Sequence, residues 1–280
     1  MRNGKQPRNL LAFADGSWAR GDASGGSHVW DLHRNLAREG QLSIYDPGVG
    51  TGRFKLTGGI LGWGMHRNVL DLYAWICKTY EPGDRIFLAG WSRGAHTVRT
   101  VAGLIAHSGL AYDADIHDAW EAYRTREKYT KITRTESIHG LLCFDTVDAY
   151  LSPLKPRWKD HNVSNRVLSA FHLVAMHERR KAFKPVPMHG KQVQTVQFLG
   201  NHGQIGGGIV DGLSDIAYQA SGSYLQSRGV QMRDGWQDGL MPDPQADIAK
   251  ASGWWRIAGL EDRKPQGVAT YHQSVLARSD

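Results

Sequence analysis

The stretch Arg85-Ile86-Phe87-Leu88-Ala89-Gly90-Trp91 is introduced by the turn residues Glu81-Pro82-Gly83-Asp84 and runs without a linker into Ser92-Arg93-Gly94. A short, largely apolar run that starts at a turn reads as a buried strand. After Gly94, Val98, Val101, Ala102 and Ile105 recur at helical spacing, so the strand passes directly into a helix. A strand feeding a helix in this way belongs to a sheet that is covered by helices. The same alternation recurs along the chain. Leu10–Ala14 reads as a strand that ends in Asp15-Gly16-Ser17. Val69, Leu70, Tyr73, Ile76, Cys77 and Tyr80 mark one apolar helix face that stops before Pro82. Leu141–Phe144 and Val193–Leu199 read as two more strands, with a helix expected between them around Asn165–Ala182. The expected class is α/β, a mostly parallel sheet with helices on both faces.

At 280 residues, 41% of them hydrophobic and ten of them tryptophan, the chain carries enough apolar surface for one sizeable core. A single domain over 1–280 is expected, with residues 231–280 rich in Gly, Asp and Trp and without a sustained period. Trp254-Trp255 within that stretch reads as core or rim packing. The two cysteines, Cys77 and Cys143, lie in apolar stretches and are expected to be buried thiols, which gives neither a disulfide framework nor a thiolate metal site. Met1–Arg8 is polar and basic with no apolar core, so the expectation is a chain made in the cytoplasm without a signal peptide. Lys and Arg outnumber Asp and Glu by 34 to 27, with basic clusters at Arg124–Arg134, Lys155–Lys159 and Arg179–Lys184. Such a surface suits long-range attraction to anionic lipid or nucleic acid, with an ordinary solvated, mildly basic surface as the alternative; peripheral contact with an anionic membrane is the candidate, and no specific nucleic acid is expected.

Gly90-Trp91-Ser92-Arg93-Gly94 is a G-x-S-x-G segment at a strand-to-helix junction, where a serine can sit exposed on a tight turn between two glycines that let the backbone pass closely. A serine hydroxyl needs a base, and the base an orienting acid. Of thirteen histidines, His202 follows the Val193–Leu199 strand within Gly200-Asn201-His202-Gly203-Gln204-Ile205-Gly206-Gly207-Gly208, at the sheet edge where open α/β sheets place ligands. His96, one helical turn past Ser92, reads as structural. Asp145 ends the apolar run from Gly140 and is the expected acid; Asp148 is its competitor, and either could instead cap the next helix or turn. The Arg93 N–H is the natural first oxyanion donor. Gly16 is the candidate for the second, with a tight turn free of catalytic duty as the equal alternative. Chemistry of this kind requires no cofactor and no metal. The other reading is a catalytically inactive scaffold that binds an anionic partner.

Taken together, Phe13-Ala14-Asp15-Gly16-Ser17-Trp18, Tyr45-Asp46-Pro47-Gly48-Val49-Gly50-Thr51-Gly52, Tyr80-Glu81-Pro82-Gly83-Asp84, Gly90-Trp91-Ser92-Arg93-Gly94-Ala95, Phe144-Asp145-Thr146-Val147, Glu178-Arg179-Arg180 and His202 with its glycines resemble one family. It is the α/β-hydrolase-like family that includes phospholipase effectors of type VI secretion, and the resemblance covers roughly residues 9 to 230. It implies an α/β-hydrolase fold and a serine esterase or lipase reaction, with some relatives acting on phospholipids; it does not fix the substrate, and it leaves export by a system that needs no signal peptide open. Two departures stand out. Gln204 replaces an acidic residue that the family usually has two positions after the histidine, and Ser27-His28-Val29 stands where the family tends to have Thr-Asn-Val.

Overall fold

The computed structural model describes residues 6–16, 26–48, 58–148, 161–250, 259–263 and 270–278. Seven strands form one sheet: β1 (Asn9–Ala14), β2 (Gln41–Asp46), β3 (Arg85–Trp91), β4 (Ile138–Phe144), β5 (Ala170–Ala175), β6 (Val193–Phe198) and β7 (Thr270–Tyr271). Their order is β2-β1-β3-β4-β5-β6-β7, and every pairing is parallel. The helices are α1 (His28–Arg34), α2 (Gly58–Thr79), α3 (Arg93–Ser108), α4 (Ile116–Thr125), α5 (His202–Gly206), α6 (Gly212–Ser227) and α7 (Gln273–Ala277). This is the α/β-hydrolase architecture.

Side-chain alternation on the strands explains the two layers. Leu10, Ala12 and Ala14 of β1, with Ile86 and Leu88 of β3, join a core with α2, α3 and α4. Leu11, Phe13, Phe87 and Ala89 turn the other way and pack with Leu32 of α1, Ile205 of α5 and Leu213 of α6. Because side chains on a strand point to opposite faces in turn, a strand buried on both faces is largely apolar, as Leu10–Ala14 of β1 is. The expected face of α2 holds, with Val69, Tyr73 and Ile76 fully buried. Both cysteines are free and buried.

The helix expected around Asn165–Ala182 is a correction: that stretch holds strand β5, Ala-Phe-His-Leu-Val-Ala, buried along its whole length between β4 and β6. A run with no polar face has neither a period of two nor one of 3.6, and only its position inside the sheet decides its conformation. Strand β4 starts three residues earlier than expected, at Ile138. The last fifty residues contribute β7, which pairs with β6 through Val196 and Gln197. Trp254-Trp255, Lys155–Lys159, and Ser17, Trp18 and 49–52 of the quoted motifs lie outside the described residues.

The chain crosses from β2 to β3 over β1, so consecutive connections leave the sheet in opposite directions between β1 and β3. That switch point opens a crevice at the carboxyl ends of these strands. Asp15-Gly16 follows β1 and Ser92 follows β3, with Ala14 in register with Gly90.

Candidate active site

Ser92 is the first residue after β3 and immediately precedes α3. It adopts φ 59° and ψ −121°, a left-handed backbone that disfavours any side chain. Its amide donates to the carbonyl of Phe144 at 2.9 Å, tying the elbow to the end of β4. The flanking glycines have a steric reason: a Cβ on Gly90 would lie 2.5 Å from the carbonyl oxygen of Gly94, and one on Gly94 would lie 2.1 Å from that of Ala14. Trp91 lays its ring against α5, where a Cβ on Gly206 would come within 2.0 Å of the indole, and its centroid is 5.3 Å from the His202 ring.

His202 is the first residue of α5 rather than part of an open loop. Asn201 caps the helix, its side chain accepting from Gly203 and Gln204 N–H while Gln204 answers to the Asn201 amide. The His202 backbone amide donates to Glu178 Oε2 at 3.3 Å, and its ring Nδ1–H donates to Asp145 Oδ2 at 2.6 Å. With Nδ1 carrying the proton, Nε2 is left as the basic nitrogen. Burial lowers the His202 pKa, opposed by the hydrogen bond and charge of Asp145. Asp145 is fully buried at φ 41°. Burial by itself would raise its carboxyl, but the charge of Arg263 and the hydrogen bonds from His202 and Arg263 outweigh it and hold the group well below the usual carboxylate range. The structure therefore brings Asp145, and not Asp148, to His202. His96 is buried within α3, one turn after Ser92.

At the end of β1, Asp15 is buried and accepts from the Ser27 hydroxyl, from Tyr45 Oη–H at 2.6 Å and from the Gly16 N–H at 2.7 Å. Burial pushes its pKa up to about 6 against these three donors. Gly16, the candidate second oxyanion donor, thus directs its N–H to the neighbouring carboxylate. Desolvation lowers the Arg93 guanidinium to about 10. Among the described residues, no group of three or more His, Cys, Asp or Glu is placed to hold a metal ion.

With this geometry in place, likeness to known proteins acquires a structural meaning. The profile of the type VI secretion system (T6SS) phospholipase effector Tle1-like catalytic domain matches residues 8–220. The chain belongs to this Tle1-like family. A curated relative, uncharacterized protein YEL023C of Saccharomyces cerevisiae (strain ATCC 204508 / S288c), is 26% identical over 200 residues, covering 56% of this chain and 28% of the relative. An uncharacterized protein from Pseudomonas aeruginosa is similar in fold, with a TM-score of 0.50 and 17% identity over 84% of this chain and 48% of that one. The Tle1 effector bound to the VgrG spike of the type 6 secretion system aligns with a TM-score of 0.47 and 16% identity, over 72% of this chain and 51% of that one. The chain therefore spans about a quarter of the curated relative and about half of these two solved chains.

The departures from the Tle1-like pattern have structural work of their own. Gln204, in place of the acidic residue, closes the α5 capping box and donates from Nε2 to Asp211 Oδ2 at 2.7 Å and to the Asp247 carbonyl at 2.9 Å. It thereby fastens the His202 turn to the C-terminal segment. Ser27 caps α1 and bonds Asp15. His28 bridges helices: Nδ1–H donates to the Ile205 carbonyl at 3.0 Å, while Nε2 accepts from Ser214 Oγ–H at 2.9 Å. Sequence reasoning missed Arg263, which lies in a tail without a legible pattern. It also assigned no role to Glu178, although the motif Glu178-Arg179-Arg180 contained it. Glu178 is buried and paired with Arg180 at 2.7 Å.

Burial disfavours the charged form of the His28 imidazole and lowers its pKa from 6.5 to about 4. Between those values the unfolded chain binds the extra proton, so this contribution is complete above the unfolded value and is lost as pH falls toward the folded one. The loss should reach about 3 kcal/mol. Urea melts at pH 7 and pH 5 should show wild-type stability dropping with acid. In His28→Asn the drop should be smaller, the remainder coming from other buried histidines such as His172, whose pKa is lowered by burial to about 3, less the opposing gain from Asp15, whose raised pKa favours the folded state as pH falls. An equal drop in both proteins would exclude His28 as a source.

Proposed function

We propose that this chain is a serine hydrolase that cleaves a carboxylic ester bond of a phospholipid or related lipid. One observation carries the reading: the 2.6 Å bond from His202 Nδ1–H to the buried Asp145 carboxylate, at the same sheet edge as Ser92 in its strained elbow. In the proposed reaction the Ser92 hydroxyl attacks the ester carbonyl while His202 Nε2 takes its proton, forming a tetrahedral intermediate. The Arg93 N–H stabilises the oxyanion, and the Gly16 N–H joins it by exchanging its Asp15 partner for the substrate oxygen. The His202 imidazolium then protonates the departing alcohol. Water, deprotonated by the same nitrogen, attacks the acyl-serine and releases the acid. Lipid as substrate and delivery by type VI secretion are supported by membership of the Tle1-like family.

Contact with an anionic membrane draws on a surface that is partly neutralised. Arg124 pairs with Glu121, and Lys131 pairs with Asp115 and Asp118. Arg134 donates to the carbonyls of Cys77, Tyr80 and Ala111. Arg179 and Arg180 pair with Asp262 and Glu178. No helix among the described residues is long and apolar enough to cross a membrane.

A fluorophosphonate probe with mapping of the labelled residue tests the chemistry, and the expected site is Ser92. Phospholipid vesicles with and without anionic lipid, assayed over a salt series beside a short-chain nitrophenyl ester, test the substrate. Cleavage of anionic vesicles should weaken with salt while the small ester responds little. Labelling at another residue would remove the assignment of Ser92, and turnover of the small ester alone would leave a carboxylesterase without lipid activity. With neither labelling nor turnover, the inactive binding scaffold becomes the better description.

A further inference from the structure

We propose that Arg263 is a positioning residue for catalysis, clamping both carboxylate oxygens of Asp145 and so setting the basicity of His202. This rests on the reading of Ser92, His202 and Asp145 as a triad. Arg263 Nη1–H donates to Asp145 Oδ1 at 2.6 Å, and Nη2–H donates to Oδ2 at 2.9 Å. The same two nitrogens donate to the carbonyls of Ala175 at 2.9 Å and Phe183 at 2.6 Å. A planar guanidinium can make all four bonds at once, which a lysine ammonium cannot. The Asp145 carboxylate also accepts from the Ala175 amide at 3.0 Å and from His202, so its rotation is fixed and Oδ2 stays aimed at the imidazole. Through the Phe183 carbonyl the clamp also reaches the His202 ring, against which the Phe183 ring packs edge-on at 4.8 Å.

The clamp arrives from outside the stretch that matches the Tle1-like profile, which ends at residue 220. Residues 259–263 are stitched onto the segment after β5: Lys181 N–H donates to the Gly259 carbonyl at 3.1 Å, Glu261 N–H donates to the Arg179 carbonyl at 2.7 Å, and Leu260 bridges Arg180 in antiparallel fashion. An ordinary structural ion pair would need only the charge. Here the partner is the same carboxylate that holds His202, and the two charges lie in a site with little solvent. Sharing the Asp145 charge with a guanidinium weakens its stabilisation of the imidazolium, and the guanidinium itself repels that cation. Burial already lowers His202, and Arg263 acts in the same direction. His202 therefore remains a neutral base to lower pH than it would beside an unclamped carboxylate.

The test compares wild type, Arg263→Gln and Arg263→Lys by the pH dependence of kcat/KM on a short-chain nitrophenyl ester, with melting curves to establish folding. Losing the cation should raise the His202 pKa and move the acid limb of Arg263→Gln up by about one pH unit, roughly a tenfold loss below the limb. Arg263→Lys keeps the charge and should lie closer to wild type. An acid limb that stays in place or moves down in folded Arg263→Gln would overturn the proposal. A second measurement does not depend on that variant folding: NMR titration of His202 in wild type, assigned by comparison with His202→Gln. A wild-type midpoint above the ordinary imidazole value overturns the clamp; because burial alone also lowers it, a low midpoint supports the clamp only where it rises in folded Arg263→Gln, and an unchanged midpoint there overturns it. Because this titration does not require Ser92 to be the nucleophile, loss of the triad reading through absent fluorophosphonate labelling remains distinguishable from loss of the clamp.

Discussion

Replacing Ser92 by alanine is expected to lower ester hydrolysis by roughly 10⁴- to 10⁶-fold while leaving the protein folded. The change removes the proposed attacking oxygen and very little volume. It also removes no helix cap, since the Ser92 side chain makes no capping bond to α3. The backbone supplies a companion prediction. At φ 59° a residue with a Cβ is held in a conformation that costs about 1–3 kcal/mol. Ser92→Ala keeps that strain and should melt close to wild type, whereas Ser92→Gly relieves it and should melt higher while being equally inactive. Turnover of Ser92→Ala near the wild-type level, with the protein shown to be free of wild-type contamination, would end the nucleophile assignment. A lower melting point for Ser92→Gly would mean that the strain in the elbow is worth less than the chain entropy glycine adds to the unfolded state.

His202→Ala should be nearly as damaging, because without it no base takes the Ser92 proton and the Asp145 carboxylate has nothing to orient. The comparison that gives this result meaning is His96→Ala. His96 is buried on α3 directly after the elbow, and truncating it should lower the melting temperature with only a small change in kcat per folded molecule. His202→Ala should show the opposite balance, with a large kinetic loss and a modest stability loss. That modest loss comes from leaving Asp145 with Arg263 and the Ala175 amide as its remaining partners. If His96→Ala lost the activity and His202→Ala retained it, the base would lie on α3 and the 2.6 Å bond to Asp145 would be structural.

Both predictions concern residues that the order of amino acids marks by itself, because their signals are local. Ser92 stands between two glycines at a strand-to-helix junction. His202 follows a strand in a stretch of small residues, and Asp145 closes an apolar run. The resemblance to the Tle1-like family rested on the same kind of contiguous segment. Each of these features depends on neighbours within a few positions, where steric and hydrogen-bonding demands act directly on residue type.

What only the tertiary structure decided depends on chain distant in sequence. That Asp145 is the carboxylate bonded to His202 depended on the placement of His202, 57 positions later. Strand β5 was expected to be helical because six residues buried on both faces carry no period, and its state comes from having β4 and β6 on either side. Arg263 reaches Asp145 across 118 positions, from a C-terminal stretch without a repeating sequence pattern, and an arginine in such a stretch looks like any solvated charge until the fold desolvates it beside a carboxylate. The Gly16 N–H, a reasonable oxyanion donor by its position after β1, is directed to the Asp15 carboxylate, whose other partners, Ser27 and Tyr45, come from the start of α1 and from β2. Local sequence thus determined which chemical groups stand at the strand ends. The pairing of those groups was left to packing, because the energy of a buried charge or hydrogen bond depends on which distant segment excludes the water around it.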